Sequence, residues 1–107
     1  MSIKTTVLTL ALLSASAMVA AAPYSAQTRT QYLSDCTQIF EQIPALAASS
    51  KEYCSCTLNQ LEKRLTEKEF TEGGDAMAKT PASALAQKFN RASDEATEVC
   101  QKEVLKL

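Results

Sequence analysis

Two cysteines stand one residue apart in this chain, Cys54 and Cys56, with Cys36 upstream and Cys100 downstream. Residues two apart on a helix point to nearly opposite sides, so Cys54 and Cys56 are poor partners for each other. Each must reach a different part of the chain. Whatever fold forms, the stretch Tyr53-Cys54-Ser55-Cys56 is tied once toward Cys36 and once toward Cys100. Two pairings satisfy this: Cys36–Cys54 with Cys56–Cys100, or Cys36–Cys56 with Cys54–Cys100.

The start of the chain says where such bonds would form. Residues 1–21 read as a secretory signal: Lys4 supplies a positive start, residues 7–13 (VLTLALL) are apolar, and small residues follow up to Ala22. Pro23 would obstruct a cut after Ala22, so the expected cut follows Ala21, with Val19 and Ala21 as the small residues. The apolar run is well short of the ~20 residues that span a bilayer. The expectation is one mature domain, residues 22–107, periplasmic or secreted and without a stable membrane anchor once the leader is gone. An oxidising compartment favours disulfides over free thiols.

The remaining residues read as helices. Between residues 27 and 43 the apolar positions Tyr32, Leu33, Cys36, Ile39, Phe40 and Ile43 form one stripe at helical period, preceded by a polar lead-in at 23–28 that is expected to fray. Pro44 disfavours continuation. Ser49 to Glu52 has the pattern of a capping box opening a second helix to about Leu65, with Cys54, Leu58, Leu61 and Leu65 on one face. Thr66 to Glu69 repeats the pattern before Phe70 and predicts a short third helix, ended or kinked by Gly73-Gly74. Thr80-Pro81 reads as the start of a long fourth helix with Leu85, Phe89, Ala92, Ala96, Val99 and Cys100 on its inner stripe, exposed and fraying beyond Cys100. The fold class is therefore all-α: a small three- to four-helix bundle stapled by disulfides. Its core is small, so covalent staples matter.

On this reading the crossed pairing, Cys36–Cys56 with Cys54–Cys100, is the expected one. Cys54 shares the leucine stripe, which suits the longest helix as partner, and Cys56 lies about 160° away around the helix, which suits another neighbour. Thiolates at Cys54 and Cys56 could instead hold a soft metal or exchange disulfides, but the C-x-x-C spacing usual for either is missing.

The arrangement Leu33-x-x-Cys36, Tyr53-Cys54-x-Cys56 and a last Cys100 resembles a group of small exported bacterial all-helical proteins marked by C…YC-x-C…C behind a signal peptide. The resemblance implies a disulfide-stapled periplasmic helical domain. It carries no catalytic residue over to this chain.

Function classes narrow by what the residues supply. The mature chain has 10 basic against 12 acidic residues, no basis for binding nucleic acid. There is no histidine, hence no common general base, and no glycine-rich phosphate loop. Capping and solvation account for Glu67, Glu69, Glu72, Glu95 and Glu98. The expectation is a non-enzymatic binding or interaction module, without cofactor, whose partner is a protein or small ligand in a groove between helices. The alternatives are an acid-stress chaperone of the periplasm and, further off, a thiol-based metal carrier or redox protein.

Overall fold

A computed structural model describes residues 23–107; the expected leader lies outside them. Four α-helices follow in order: α1 Ala26–Glu41, α2 Ser50–Arg64, α3 Glu67–Lys79 and α4 Ala84–Glu103, with a 3-10 turn Ala47–Ser49 leading into α2. Among the described residues there is no strand, and no helix is long and apolar enough to cross a membrane.

Local chemistry explains most of the boundaries. Ser25 caps α1, its Oγ accepting from the Thr28 N–H. Thr66 caps α3 through the full capping box, with Glu69 accepting from the Thr66 N–H. The box expected at Ser49 does not form. The 3-10 turn carries the chain into α2 already coiled, leaving Ser49 at φ −102° and ψ 3°, whereas a side-chain cap needs an extended residue. The fourth helix starts three residues later than Thr80-Pro81 suggested. Pro81 lies inside a turn closed by Ser83 N–H to Thr80 O at 2.9 Å, and Ser83 is the cap, accepting from the Ala86 N–H.

The helix α3 also runs through Gly73-Gly74 instead of ending there. Gly73 is buried because α4 passes against it: a Cβ at this position would lie 2.6 Å from Phe89 Cδ2 and 2.9 Å from Phe89 Cβ. The pair is a crossing point, not a stop.

The centre of the core is Leu61 and Leu65 of α2 against Ala92 and Ala96 of α4, with Tyr32, Phe70 and Phe89 packed around them. Small alanines on α4 let the two backbones approach closely, which suits a bundle with few large side chains. Leu58, Cys54 and Cys100 are fully buried. The carboxyl end of α4 stops at Glu103, where the Val104 N–H bonds Cys100 O.

Two disulfides hold this arrangement, Cys36–Cys54 and Cys56–Cys100. The crossed pairing favoured by the sequence is corrected. Helix α1 lies along the Tyr53/Thr57 side of α2, with Phe40 edge-on to Tyr53 at 4.9 Å and the Tyr32 hydroxyl 2.7 Å from Thr57 Oγ1. Cys54 falls between those contacts and meets Cys36, while Cys56, about 160° around the helix, faces α4 and Cys100. The leucine stripe was a poor guide because it lies at the junction of both neighbours: Leu61 and Leu65 meet Ala92 and Ala96, yet Tyr32 of α1 packs on the same cluster.

Candidate binding cleft

Helix α1 contributes no buried residue at all. It rests on α2 along one line, Tyr32, Cys36 and Phe40, spaced four apart so that they share a face. The rest of its inner side is left over a cleft. The deeper part, about 160 Å³, is walled by Tyr32, Cys36 and Phe40 of α1, Tyr53, Thr57 and Leu61 of α2, Phe70 of α3, and Phe89, Ser93, Ala96 and Thr97 of α4. A broader groove of about 540 Å³ adjoins it across Tyr32, Cys36, Phe40 and Phe70, and adds Ile39 to the apolar surface and Gln27, Thr28, Gln31 and Asp35 to the rim. Ile39 is 61 % exposed.

Aromatic rings line the closed end. Phe70 meets Tyr24 at 5.2 Å, Tyr32 at 5.8 Å and Phe89 at 6.0 Å between ring centroids, so α1, α3 and α4 converge on one side chain. Offset and edge-on contacts of this kind fix ring positions as well as burying area. Thr57 Oγ1 donates to Cys54 O at 3.0 Å, and the Tyr32 hydroxyl donates in turn to Thr57. Burial raises the Tyr32 phenol above its ordinary pKa; the ring is neutral at physiological pH.

On the rim, Asp35 receives the Gln31 Nε2 group at 3.0 and 3.1 Å and no lysine or arginine among the described residues pairs with it. By contrast, Glu62 pairs with Arg29, Glu69 with Lys88 at 2.5 Å, and Glu95 with Arg64 at 3.1 Å. Capping and pairing thus account for most of the carboxylates that the sequence brought forward.

The lead-in at residues 23–28 was expected to fray; it is instead a clamp. Tyr24 is 4 % exposed. Its hydroxyl lies 2.9 Å from Leu65 O, just past the end of α2, and 3.1 Å from Leu61 O, which also accepts the Leu65 N–H at 2.9 Å. Its N–H donates to Glu62 Oε2 at 2.8 Å. Glu67, at the start of α3, accepts from the Ser25 N–H, the Ser25 hydroxyl and the Thr28 hydroxyl at 2.9, 2.8 and 2.5 Å. The Thr28 and Ser25 hydrogen bonds hold the Glu67 carboxyl below the usual range, and the Lys88 and Thr66 hydrogen bonds do the same for Glu69. Burial, with Glu62, Glu67 and Glu69 nearby, drives the Tyr24 phenol far above its ordinary value. One signal could have found Tyr24: it extends the Thr28, Tyr32, Cys36, Phe40 register one step back. Nothing local foretold its partners at Leu61, Glu62 and Leu65.

The four predicted cysteines therefore serve as two staples, and none is a free thiol. Among the described residues no cluster of three or more His, Cys, Asp or Glu is placed to hold a metal ion. No protein-family model matches the chain, and no curated protein or solved structure matches it. Two disulfides in a domain of this size are consistent with an oxidising, extracytoplasmic compartment.

Proposed function

We propose that the chain is exported, loses residues 1–21, and works as a non-enzymatic binding module that takes a small amphiphile in the cleft beneath α1. The observation that carries this reading is the groove of about 540 Å³, within the range of roughly 300–1,000 Å³ typical of small-ligand sites. Its apolar surface is Tyr32, Ile39, Phe40 and Phe70. The apolar part of the ligand lies on these. A cationic or hydrogen-bond-donating group meets Asp35, the rim carboxylate without a cation. Binding, not turnover, fits residues that are buried, neutral or already hydrogen-bonded.

Titration with an apolar fluorophore, followed by displacement with cationic, neutral and anionic amphiphiles of matched chain length, tests the reading. Ile39→Lys changes an exposed position and leaves the fold intact. It should weaken binding by about tenfold or more, the ~1.4 kcal/mol expected when a side chain of this size leaves an apolar contact. Asp35→Asn should erase the preference for cationic amphiphiles. If no amphiphile binds, or binding ignores both changes, the site is elsewhere.

A second reading, an acid-stress chaperone, is favoured by the Glu67 clamp. Thr28 both bonds Glu67 and lines the groove, so protonating Glu67 loosens the groove's edge. Suppression of client aggregation near pH 2–3, below the carboxylate range, with none at neutral pH would support it; no suppression at either pH removes it.

A further inference from the structure

The Tyr24 clamp and removal of the leader compete for the same few residues. Tyr24 is packed against Phe70, its N–H is engaged by Glu62, and the following N–H, of Ser25, is engaged by Glu67. From Tyr24 back to the Ala21–Ala22 bond the chain reaches at most about 10 Å, even fully extended. An endopeptidase grips residues on both sides of the bond it cuts and holds them extended. With the backbone donors of Tyr24 and Ser25 bound to α2 and α3, the chain on the carboxyl side of the cut cannot enter such a cleft unless the clamp opens.

We propose that the leader is cut off before the Tyr24 clamp closes, so that the folded, disulfide-bonded precursor resists leader peptidase. The proposal rests on residues 1–21 being a leader. The cut is an ordinary amide hydrolysis: water gives its hydroxyl to the Ala21 carbonyl and a proton to the Ala22 nitrogen. The order of events is then export, cleavage, and closure of Tyr24 onto the ends of α2 and α3. A precursor that folds first is cut only as fast as its clamp opens.

The test uses the full chain in detergent micelles with a membrane-bound leader peptidase, in three forms. The first is oxidised and folded, and the second is reduced and alkylated. The third is oxidised and carries a flexible insert of about six Gly and Ser residues between Pro23 and Tyr24, long enough to move the cut clear of the clamp. Cleavage of the first is expected to be at least ~10-fold slower than that of the second, because opening of the clamp limits it. The insert should restore the fast rate without disturbing the fold, as read by circular dichroism. Equal rates for oxidised and reduced chains would overturn the proposal, as would slow cleavage of the chain with the insert. Cleavage in none of the three would overturn it as well, by removing the leader on which it rests. The fast reduced arm separates that failure from failure of the clamp.

Discussion

Gly73 and Gly74 are neighbours on one helix with opposite consequences. A methyl group at Gly73 would collide with Phe89 at its Cβ and Cγ, close to the α4 backbone where the ring cannot swing away, whereas one at Gly74 would meet only Phe89 Cζ at 4.0 Å. Gly73→Ala is expected to destabilise by about 1–3 kcal/mol, the usual penalty for overpacking. Gly74→Ala should be neutral or stabilise by up to ~1 kcal/mol, because alanine favours the helix. Urea unfolding of the two variants checks both, and equal effects would mean α4 does not pass where described. Tyr24 offers a second residue-scale test. Tyr24→Phe keeps the ring on Phe70 but removes the hydroxyl from Leu65 O and Leu61 O, the latter still accepting the Leu65 N–H, a loss of roughly 0.5–1.5 kcal/mol. Tyr24→Ala also removes a buried aromatic side chain and should cost about 3–5 kcal/mol.

The helices are not held equally. Helix α1 buries none of its side chains fully and depends on the Cys36–Cys54 bond, the Tyr24 clamp and one line of contacts. In the chain-entropy model the two bonds, spanning 18 and 44 residues, contribute about 3 and 4 kcal/mol. Replacing Cys36 and Cys54 by serine should therefore loosen α1 first. Amide exchange in Ala26–Glu41 should rise well before that of α2 and α4; uniform exchange across all four helices would count against this. Acid acts on the same edge of the molecule. The folded-state pKa values of Glu67 and Glu69 lie below their unfolded ones. Their contribution is complete above the unfolded values and is lost as pH falls through the folded ones. The melting temperature should hold from about pH 7 to 5 and fall below roughly pH 4.5, the ordinary carboxylate range. Glu67→Gln should flatten part of that fall, and an unchanged slope would show that the clamp carries no linkage.

At the scale of the whole molecule, what could be read from the sequence was what is decided locally. Helical period placed α1, α2 and α4. The Thr66–Glu69 box marked the start of α3 because its partners are three residues apart. Four cysteines around Ser55 required α2 to be tied on two sides. What could not be read depends on how helices lie against one another. Which side of α2 faces α1 is set by Phe40 on Tyr53 and Tyr32 on Thr57, contacts between residues 13 and 25 apart. Tyr24 finds its partners about 40 residues away, and Gly73 is needed only because Phe89 crosses it. The cleft exists for the same reason: α1 and α4 flank α2 with Phe70 closing one end, and no single stretch of sequence encodes the space between them.

The way α2 is shared between its two neighbours fixes both the cleft and the clamp, and the sulfur linkages report it directly. Only Ser55 separates Cys54 from Cys56, so a digest of the unreduced protein leaves the two on one peptide. Tandem mass spectrometry that breaks the backbone between them decides the linkage. The fragment carrying Cys54 should hold the Cys36 peptide and the fragment carrying Cys56 the Cys100 peptide. Finding Cys36 on Cys56, with Cys54 on Cys100, would turn α2 about its own axis and contradict the architecture described.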